Sequence, residues 1–148
     1  MRPEALDALH GSDLILHAGD IGDRAVLNSL ASIAPVRAIR GNNDRGDWAA
    51  NLPTTEVVEV GPYSIYLLHN LADLDLDPAA AGFASVVSGH SHKPTIEERN
   101  GVLFLNPGSA GPRRFKLPIT IATMRLGSAG PVARIVTLAL ASPSRARS

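Results

Sequence analysis

Four short polar motifs in this chain each come directly after a short apolar run. The motifs are Gly19-Asp20, Gly41-Asn42-Asn43-Asp44, His69 and Gly89-His90-Ser91-His92. The apolar runs before them are of the kind that buried strands show. In open α/β sheets ligands gather beyond the carboxyl ends of strands, so loops up to about seventy positions apart are expected to meet in one crevice. The pattern therefore predicts an α/β fold with one site built from four loops.

The segments around these motifs predict strands and helices in alternation, followed by hairpins. Helices are predicted over residues 1–9, 25–33 and 71–81, and strands over 14–16, 36–39, 56–60, 63–68 and 85–87. Two further hairpins are predicted over 95–106, around Asn100-Gly101, and over 119–138. We expect a single domain over residues 1–141 and a disordered tail over 142–148, because the tail lacks the apolar content that a core requires.

Composition excludes several classes of function. The 14 basic and 14 acidic residues balance, so no global field favours nucleic acid or an anionic membrane. The absence of cysteine excludes disulfides, thiolate metal sites and cysteine nucleophiles. No apolar run reaches the roughly 18 residues of a membrane span, and the first residues lack a signal-peptide core, so we expect a cytoplasmic protein. A Ser-His-Asp hydrolase is not indicated, since no Gly-x-Ser-x-Gly motif occurs.

The side chains in the four motifs have the chemistry of metal ligands. They offer a carboxylate, an amide oxygen and three imidazoles, with no sulfur. Such a mixed nitrogen and oxygen set suits Mn²⁺, Zn²⁺ or Fe²⁺ better than Ca²⁺. The glycine that opens three of the motifs lets the chain turn sharply as it leaves the sheet.

The order G-D, G-N-x-D, a lone His after a strand and G-H-x-H resembles the calcineurin-like metallophosphoesterases. The closest branch is similar to the small YfcE-type phosphodiesterases, and the resemblance runs from Leu14 to about Phe115. It implies a two-sheet β-sandwich flanked by helices, and a site that hydrolyses a small phosphate ester. It also implies that Asp20 bridges two metals, that Asn42, His69 and His90 complete the second metal site, and that His92 is one ligand of the first.

The resemblance implies a hydroxide bridging two metals that attacks phosphorus in line. Mn²⁺ is the expected cofactor, with Zn²⁺, Fe²⁺ or Ni²⁺ as alternatives, and we expect one or two bound ions. Many superfamily members have His where this chain has Asn43, and an amide cannot donate a proton as a general acid. That difference favours phosphodiesters or activated leaving groups over simple monoesters. Arg113 and its neighbour Arg114 are expected to hold a phosphate by bidentate hydrogen bonds.

One part of the family pattern is absent from this sequence. A first strand ending in Asp-x-His precedes the opening helix in the family, and His10 and Asp13 have the wrong order and spacing to replace it. The first metal would then keep only Asp20 and His92, so we expect one metal rather than two and impaired activity. A late start of the recorded chain would explain the loss, and the missing strand would favour self-association. The alternative is a non-catalytic interaction protein with a vestigial metal site, as in the retromer subunit similar to this family.

Structural interpretations remain open for individual residues. His69 would otherwise be a half-buried histidine with satisfied hydrogen bonds, and His90 and His92 would only shape a turn. His17 is expected to support the ligands or the core rather than to bind a metal. The segment 106–109 suits a tight turn as well as a substrate contact. Residues at the rim of the site are expected to be Asp44, Arg45 and Trp48.

Overall fold

The computed structural model describes residues 3–110 and 119–138. Its helices are α1 (Pro3–Leu9), α2 (Arg24–Ala31) and α3 (Asp47–Ala50), with a short 3₁₀ turn at Leu71–Asp73. Its strands are β1 (Ile15–His17), β2 (Val36–Ala38), β3 (Thr55–Val60), β4 (Tyr63–Leu68), β5 (Ser85–Val87), β6 (Thr95–Arg99), β7 (Val102–Asn106), β8 (Thr120–Gly127) and β9 (Gly130–Thr137). Arg113, Arg114 and the predicted tail lie outside the described residues.

The strands form one five-stranded sheet, a separate parallel pair and a hairpin. The five-stranded sheet has the order β3-β4-β5-β7-β6, and its three central strands are parallel to one another. The parallel pair is β1-β2 and the hairpin is β8-β9. The carboxyl ends of β1, β2, β4 and β5 carry the four polar motifs, as the sequence predicted.

Alternating side chains divide the core between the two faces of the five-stranded sheet. Ile65 and Leu67 of β4 point to one face, which packs against residues of β1 and of the β8-β9 hairpin. Tyr66 and Leu68 point to the other face, which is covered by apolar residues of the loop after β4, among them Phe83. Side chains of a strand alternate between its two faces. Among the described residues, only the face of Ile65 and Leu67 therefore packs against other strands. The predicted mixed α/β fold is confirmed.

Local chemistry explains where the elements begin and turn. The side chain of Asp23 accepts the N–H of Ala25 and caps the start of α2. Asn100 and Gly101 have φ angles of 52° and 81°, so the β6-β7 hairpin closes with the left-handed pair that a type I′ turn requires. The predicted hairpin is therefore confirmed in both position and turn chemistry.

The helix predicted over residues 71–81 is wrong beyond its first turn. Only Leu71–Asp73 is helical, and turns follow it. The side chain of Asp77 accepts the N–H groups of Ala79 and Ala80, which are bonds that compete with a continuous helix. The short helix α3 was not predicted. None of the helices in the two described ranges has the length and apolar character to span a bilayer.

Candidate metal centre

The chain leaves β1 through a left-handed turn at Gly19 and Asp20. Their φ angles are 98° and 55°, and the second is unusual for a residue with a side chain. A Cβ on Gly19 would lie 2.7 Å from Nδ1 of His69 and 2.8 Å from the backbone of Gly41. The turn therefore needs glycine for both its conformation and its packing, and it places Asp20 against the loops that follow β2 and β4.

Asp44 fastens the loop after β2 to the loop after β1. Its carboxylate accepts the N–H of Gly41 at 2.9 Å and the N–H of Gly22 at 3.0 Å. Asp44 is 6% exposed, so the expectation that it lies at the rim is wrong. A buried carboxylate that accepts two backbone N–H groups is satisfied as an anion, and it holds two loops at a fixed separation.

Asn43 contacts the carboxylate of Asp20 directly. Its backbone N–H donates to Oδ1 of Asp20 at 2.9 Å, and its side-chain Nδ2 donates to Oδ2 at 3.3 Å. The backbone and side chain of Asn43 thus together orient the carboxylate of Asp20. Asp20 keeps lone pairs on Oδ2 for a further partner.

His69 is buried at the centre of the cluster. Its Nδ1–H donates to the carbonyl oxygen of Ala18 at 2.7 Å, because a carbonyl can only accept. In the neutral ring Nε2 then carries a lone pair. Nε2 lies 2.7 Å from Oδ1 of Asn42, 3.3 Å from Oδ2 of Asp20 and 3.2 Å from Nδ1 of His90.

These four atoms have the chemistry and the spacing of a metal's ligands. Ligands about 2.1 Å from one ion lie roughly 3 Å apart when they are neighbours in its coordination sphere, which is the range seen here. When the His69 ring is neutral, the lone pair on its Nε2 faces oxygen lone pairs of Asn42 and Asp20, and a cation at their centre removes the repulsion between them. The residues present therefore fit a divalent metal. Across residues 3–110 and 119–138, His, Asp, Glu and Cys side chains alone form no three-membered cluster that would hold a metal. The four converging atoms include the amide oxygen of Asn42, which lies 2.7 Å from Nε2 of His69.

Asn106, at the end of β7, supports the loop that carries His90 and His92. Its Nδ2 donates to the carbonyl oxygen of Gly89 at 2.9 Å and to Oγ of Ser91 at 3.1 Å. His90 and His92 have φ angles of 68° and 61°. Left-handed backbone at residues other than glycine costs energy and gathers at functional sites. The segment 106–109 thus has a structural role that the sequence alone left open.

His92 lies on the wall of a groove rather than among the four converging atoms. The groove has a volume of about 430 Å³ and runs between β1 and β8, and Asp20, Asn43 and His90 also line it. A second cavity of about 460 Å³ lies on the side of Arg40 and is lined by Asn42 and His69 among others. The four converging side chains therefore stand between two open spaces, each large enough for a small ligand.

His17, at the end of β1, lines the same groove. Its Nδ1 accepts the N–H of Gly19 at 3.2 Å. Burial lowers the pKa of His17 below the ordinary value of 6.5, against the opposing effects of Asp44 and Asp20. The ring is therefore held neutral near pH 7, which keeps the lone pair on Nδ1 that the Gly19 N–H needs.

Comparison with known proteins gives the same architecture. Residues 1–129 match the calcineurin-like phosphoesterase superfamily domain. A probable metallophosphoesterase of Methanocaldococcus jannaschii is 35% identical over 116 residues, which cover 72% of this chain and 58% of that protein. This chain thus spans less than two thirds of the relative's length.

Two solved structures show the fold. An archaeal phosphodiesterase superposes with a TM-score of 0.74 at 21% identity, covering 91% of this chain and 90% of the other. Vps29 of Entamoeba histolytica, solved in complex with Zn²⁺, superposes with a TM-score of 0.71 at 21% identity, covering 93% of this chain and 89% of the other. With the domain match over most of its length, the chain belongs to the calcineurin-like phosphoesterase superfamily.

Proposed function

We propose that this chain binds a divalent metal through Asp20, Asn42, His69 and His90 and hydrolyses small phosphate esters, with phosphodiesters as the preferred class. One observation supports it above the others: Oδ1 of Asn42, Oδ2 of Asp20 and Nδ1 of His90 all lie within 3.3 Å of Nε2 of His69. When bound, the metal would supply the Lewis acidity that activates water and neutralises charge on a phosphate.

The protein's own groups would prepare the site for that chemistry. Ala18 holds His69 in the tautomer that offers Nε2, and Asn43 orients the carboxylate of Asp20. His92 and Asn43 line the groove beside the metal residues, where a phosphate ester would have access. Asn43 can donate a hydrogen bond to a phosphate oxygen but cannot protonate a leaving alcohol, which is why we propose diesters over monoesters.

We propose one tightly held ion, with Mn²⁺ as the first candidate and Zn²⁺ as the second. The ligand set contains imidazole, carboxylate and amide oxygen, and all three suit both metals. The fold neighbour Vps29 was solved with Zn²⁺, which supports testing it. Metal content after dialysis would be measured by inductively coupled plasma mass spectrometry, and two tightly held ions per chain would contradict this stoichiometry.

The activity is tested with bis-p-nitrophenyl phosphate and p-nitrophenyl phosphate in the presence of Mn²⁺. We expect slow hydrolysis of the diester and less of the monoester. The variant Asn43→His introduces a general acid and should raise the monoester rate relative to the diester rate. The variant His90→Ala should abolish both, and His10→Ala, at an exposed position, should change neither. A wild-type chain that binds Mn²⁺ and hydrolyses neither ester would overturn the proposal.

A second candidate function is a non-catalytic interaction protein that keeps one metal for structure. The fold shared with Vps29 supports it, although that likeness concerns the fold alone. The two candidate functions predict different results for a chain that is extended upstream by the family's first strand. Hydrolysis by this chain that rises further in the extended chain favours the enzyme, whereas metal binding without hydrolysis in both favours the interaction protein.

A further inference from the structure

His17 is the imidazole beside the site that the proposed metal set does not use. It is the last residue of β1, and its Nδ1 accepts the N–H of Gly19, two positions along the chain, at 3.2 Å. That backbone group is the last N–H before Asp20. The bond therefore acts on the turn that sets where the Asp20 carboxylate points.

The turn has a backbone that needs such support. Gly19 and Asp20 both lie in the left-handed region, and a residue with a side chain adopts it only where the surroundings enforce it. Asn43 fixes the far end of Asp20 through its carboxylate. The His17 bond fixes the near end through the backbone, so the carboxylate is held from both sides.

The two histidines that bond to Ala18 and Gly19 have opposite tautomers. His69 donates from Nδ1 to the carbonyl of Ala18, whereas His17 accepts at Nδ1 and in the neutral ring carries its proton on Nε2. The residues Ala18 and Gly19 thus bond to both rings, one through a carbonyl and the other through an N–H. The Ala18 bond connects the end of β1 to His69 of the proposed metal set, whereas the Gly19 bond ties the turn back to β1.

We propose that His17 is a positioning residue, which holds the Gly19-Asp20 turn through Nδ1 and thereby orients the Asp20 carboxylate toward the metal. The proposal rests on the proposed metal site. Residues that orient a metal's ligands typically change affinity by about 10–100-fold when they are removed.

The first test needs no metal. Long-range ¹H–¹⁵N correlation spectra of the metal-free protein report which ring nitrogen of each histidine carries the proton. We expect the proton on Nε2 of His17 and on Nδ1 of His69. A proton on Nδ1 of His17 in the neutral ring would overturn the proposal whether or not the protein binds a metal.

The second test measures Mn²⁺ affinity by isothermal titration. His17→Phe keeps a ring without an acceptor and should weaken binding by about 10–100-fold. His17→Asn should bind within about threefold of the wild type, because its side-chain oxygen can accept the N–H two residues on, as in an Asx turn. His10→Phe, at an exposed position, is the matched control and should bind as the wild type does.

Repeating the His17→Phe measurement in two variant proteins distinguishes a positioning role of His17 from a general structural effect. If His17 acts through Asp20, His17→Phe should weaken binding by no more than about twofold in an Asp20→Asn protein, and by the full factor in an Asn42→Ala protein. An equal loss in both backgrounds would overturn the proposal, as would weak binding by His17→Asn. A wild type that binds no Mn²⁺ would instead overturn the proposed function, while the tautomer of His17 would still decide whether the turn is held as described.

Discussion

The oxygen ligands and the nitrogen ligands of the proposed site come from two parts of the fold that are held in different ways. His69 and His90, the nitrogen side, follow β4 and β5, and each of these strands lies between two others in the five-stranded sheet. Asp20 and Asn42, the oxygen side, follow β1 and β2, which among the described residues pair only with each other. The backbone hydrogen bonds of the sheet fix the nitrogen side, and the N–H of Gly89 continues them to the carbonyl of His69 at 2.8 Å.

The oxygen side depends on a few polar side chains instead. Asp44 connects its two loops, Asn43 orients Asp20, and His17 supports the turn before it. A single substitution can remove a contact made by one side chain, whereas it leaves the backbone hydrogen bonds of a central strand in place. We therefore expect substitutions on the oxygen side to weaken metal binding before they unfold the protein.

The largest effect is expected from His69→Ala, which removes both a proposed ligand and the contact to Ala18 that connects the two sides. Mn²⁺-dependent hydrolysis should fall by at least about 100-fold, because charge stabilisation by a metal is worth several kcal/mol. Stopped assays with bis-p-nitrophenyl phosphate and metal analysis of the dialysed protein would measure it. Full metal content in this variant would show that metal binding does not need His69.

Gly41→Ala should damage the oxygen side by sterics alone. An added Cβ would lie 2.2 Å from the backbone nitrogen of Asp20 and 2.4 Å from its Oδ1, and backbone atoms cannot move aside as a flexible side chain can. We expect a loss of about 3 kcal/mol in the free energy of unfolding, at the upper end of the range for overpacking.

Gly127→Ala is the matched control for that substitution, because a Cβ there meets no atom within 4 Å. Urea unfolding of both variants measures the difference. Equal stability of the two would mean that the loops after β1 and β2 can separate freely, which contradicts the close packing described above.

Asp44→Asn keeps the shape of the side chain and removes its charge. One of the two N–H groups that Asp44 accepts would then face an amide NH₂, and a buried hydrogen bond to a charged group is worth about 2 kcal/mol. We expect a loss of that size in unfolding free energy together with weaker Mn²⁺ binding. Asp75→Asn, at an exposed position, is the control, and an Asp44→Asn protein with unchanged Mn²⁺ affinity would show that the two loops do not need this carboxylate.

The contrast between the two sides also explains what could be predicted from the sequence. Apolar runs followed by a polar residue with the chemistry of a metal ligand indicate strand ends, so the meeting of Asp20, His69 and His90 in one site could be foreseen. Asp44 and Asn106 could not be assigned, because their partners depend on which backbone groups the fold brings near. Gly22, for example, is 22 positions from the carboxylate that accepts its N–H.

The prediction of a helix over residues 71–81 failed for a related reason. Helical spacing over residues 71–81 competes with polar side chains that bond to their own backbone, and a pattern of apolar residues does not show which will prevail. Tautomers are equally hidden from the sequence, since His17 and His69 differ only in whether Nδ1 faces an N–H or a carbonyl.

The smallest expected effect is a pH dependence on the oxygen side. Burial lowers the pKa of His17 below 6.5, so the unfolded chain binds a proton at this residue more readily than the folded protein does. Stability from the neutral ring is therefore fully present above pH 6.5 and is lost as the pH falls from there through the folded-state pKa. The slope is at most about 1.4 kcal/mol per pH unit for one proton.

Urea unfolding of the metal-free wild type and of His17→Asn between about pH 7.5 and 5.0 isolates this contribution, since every other titrating group is common to both proteins. The wild type should lose stability more steeply than the variant as the pH falls below 6.5, and the two curves should run parallel above it. Parallel curves over the whole range would mean that His17 takes up its proton without opening the turn. The oxygen side would then be held by Asn43 and Asp44 alone. His17 would no longer count as a second support of Asp20 beside Asn43.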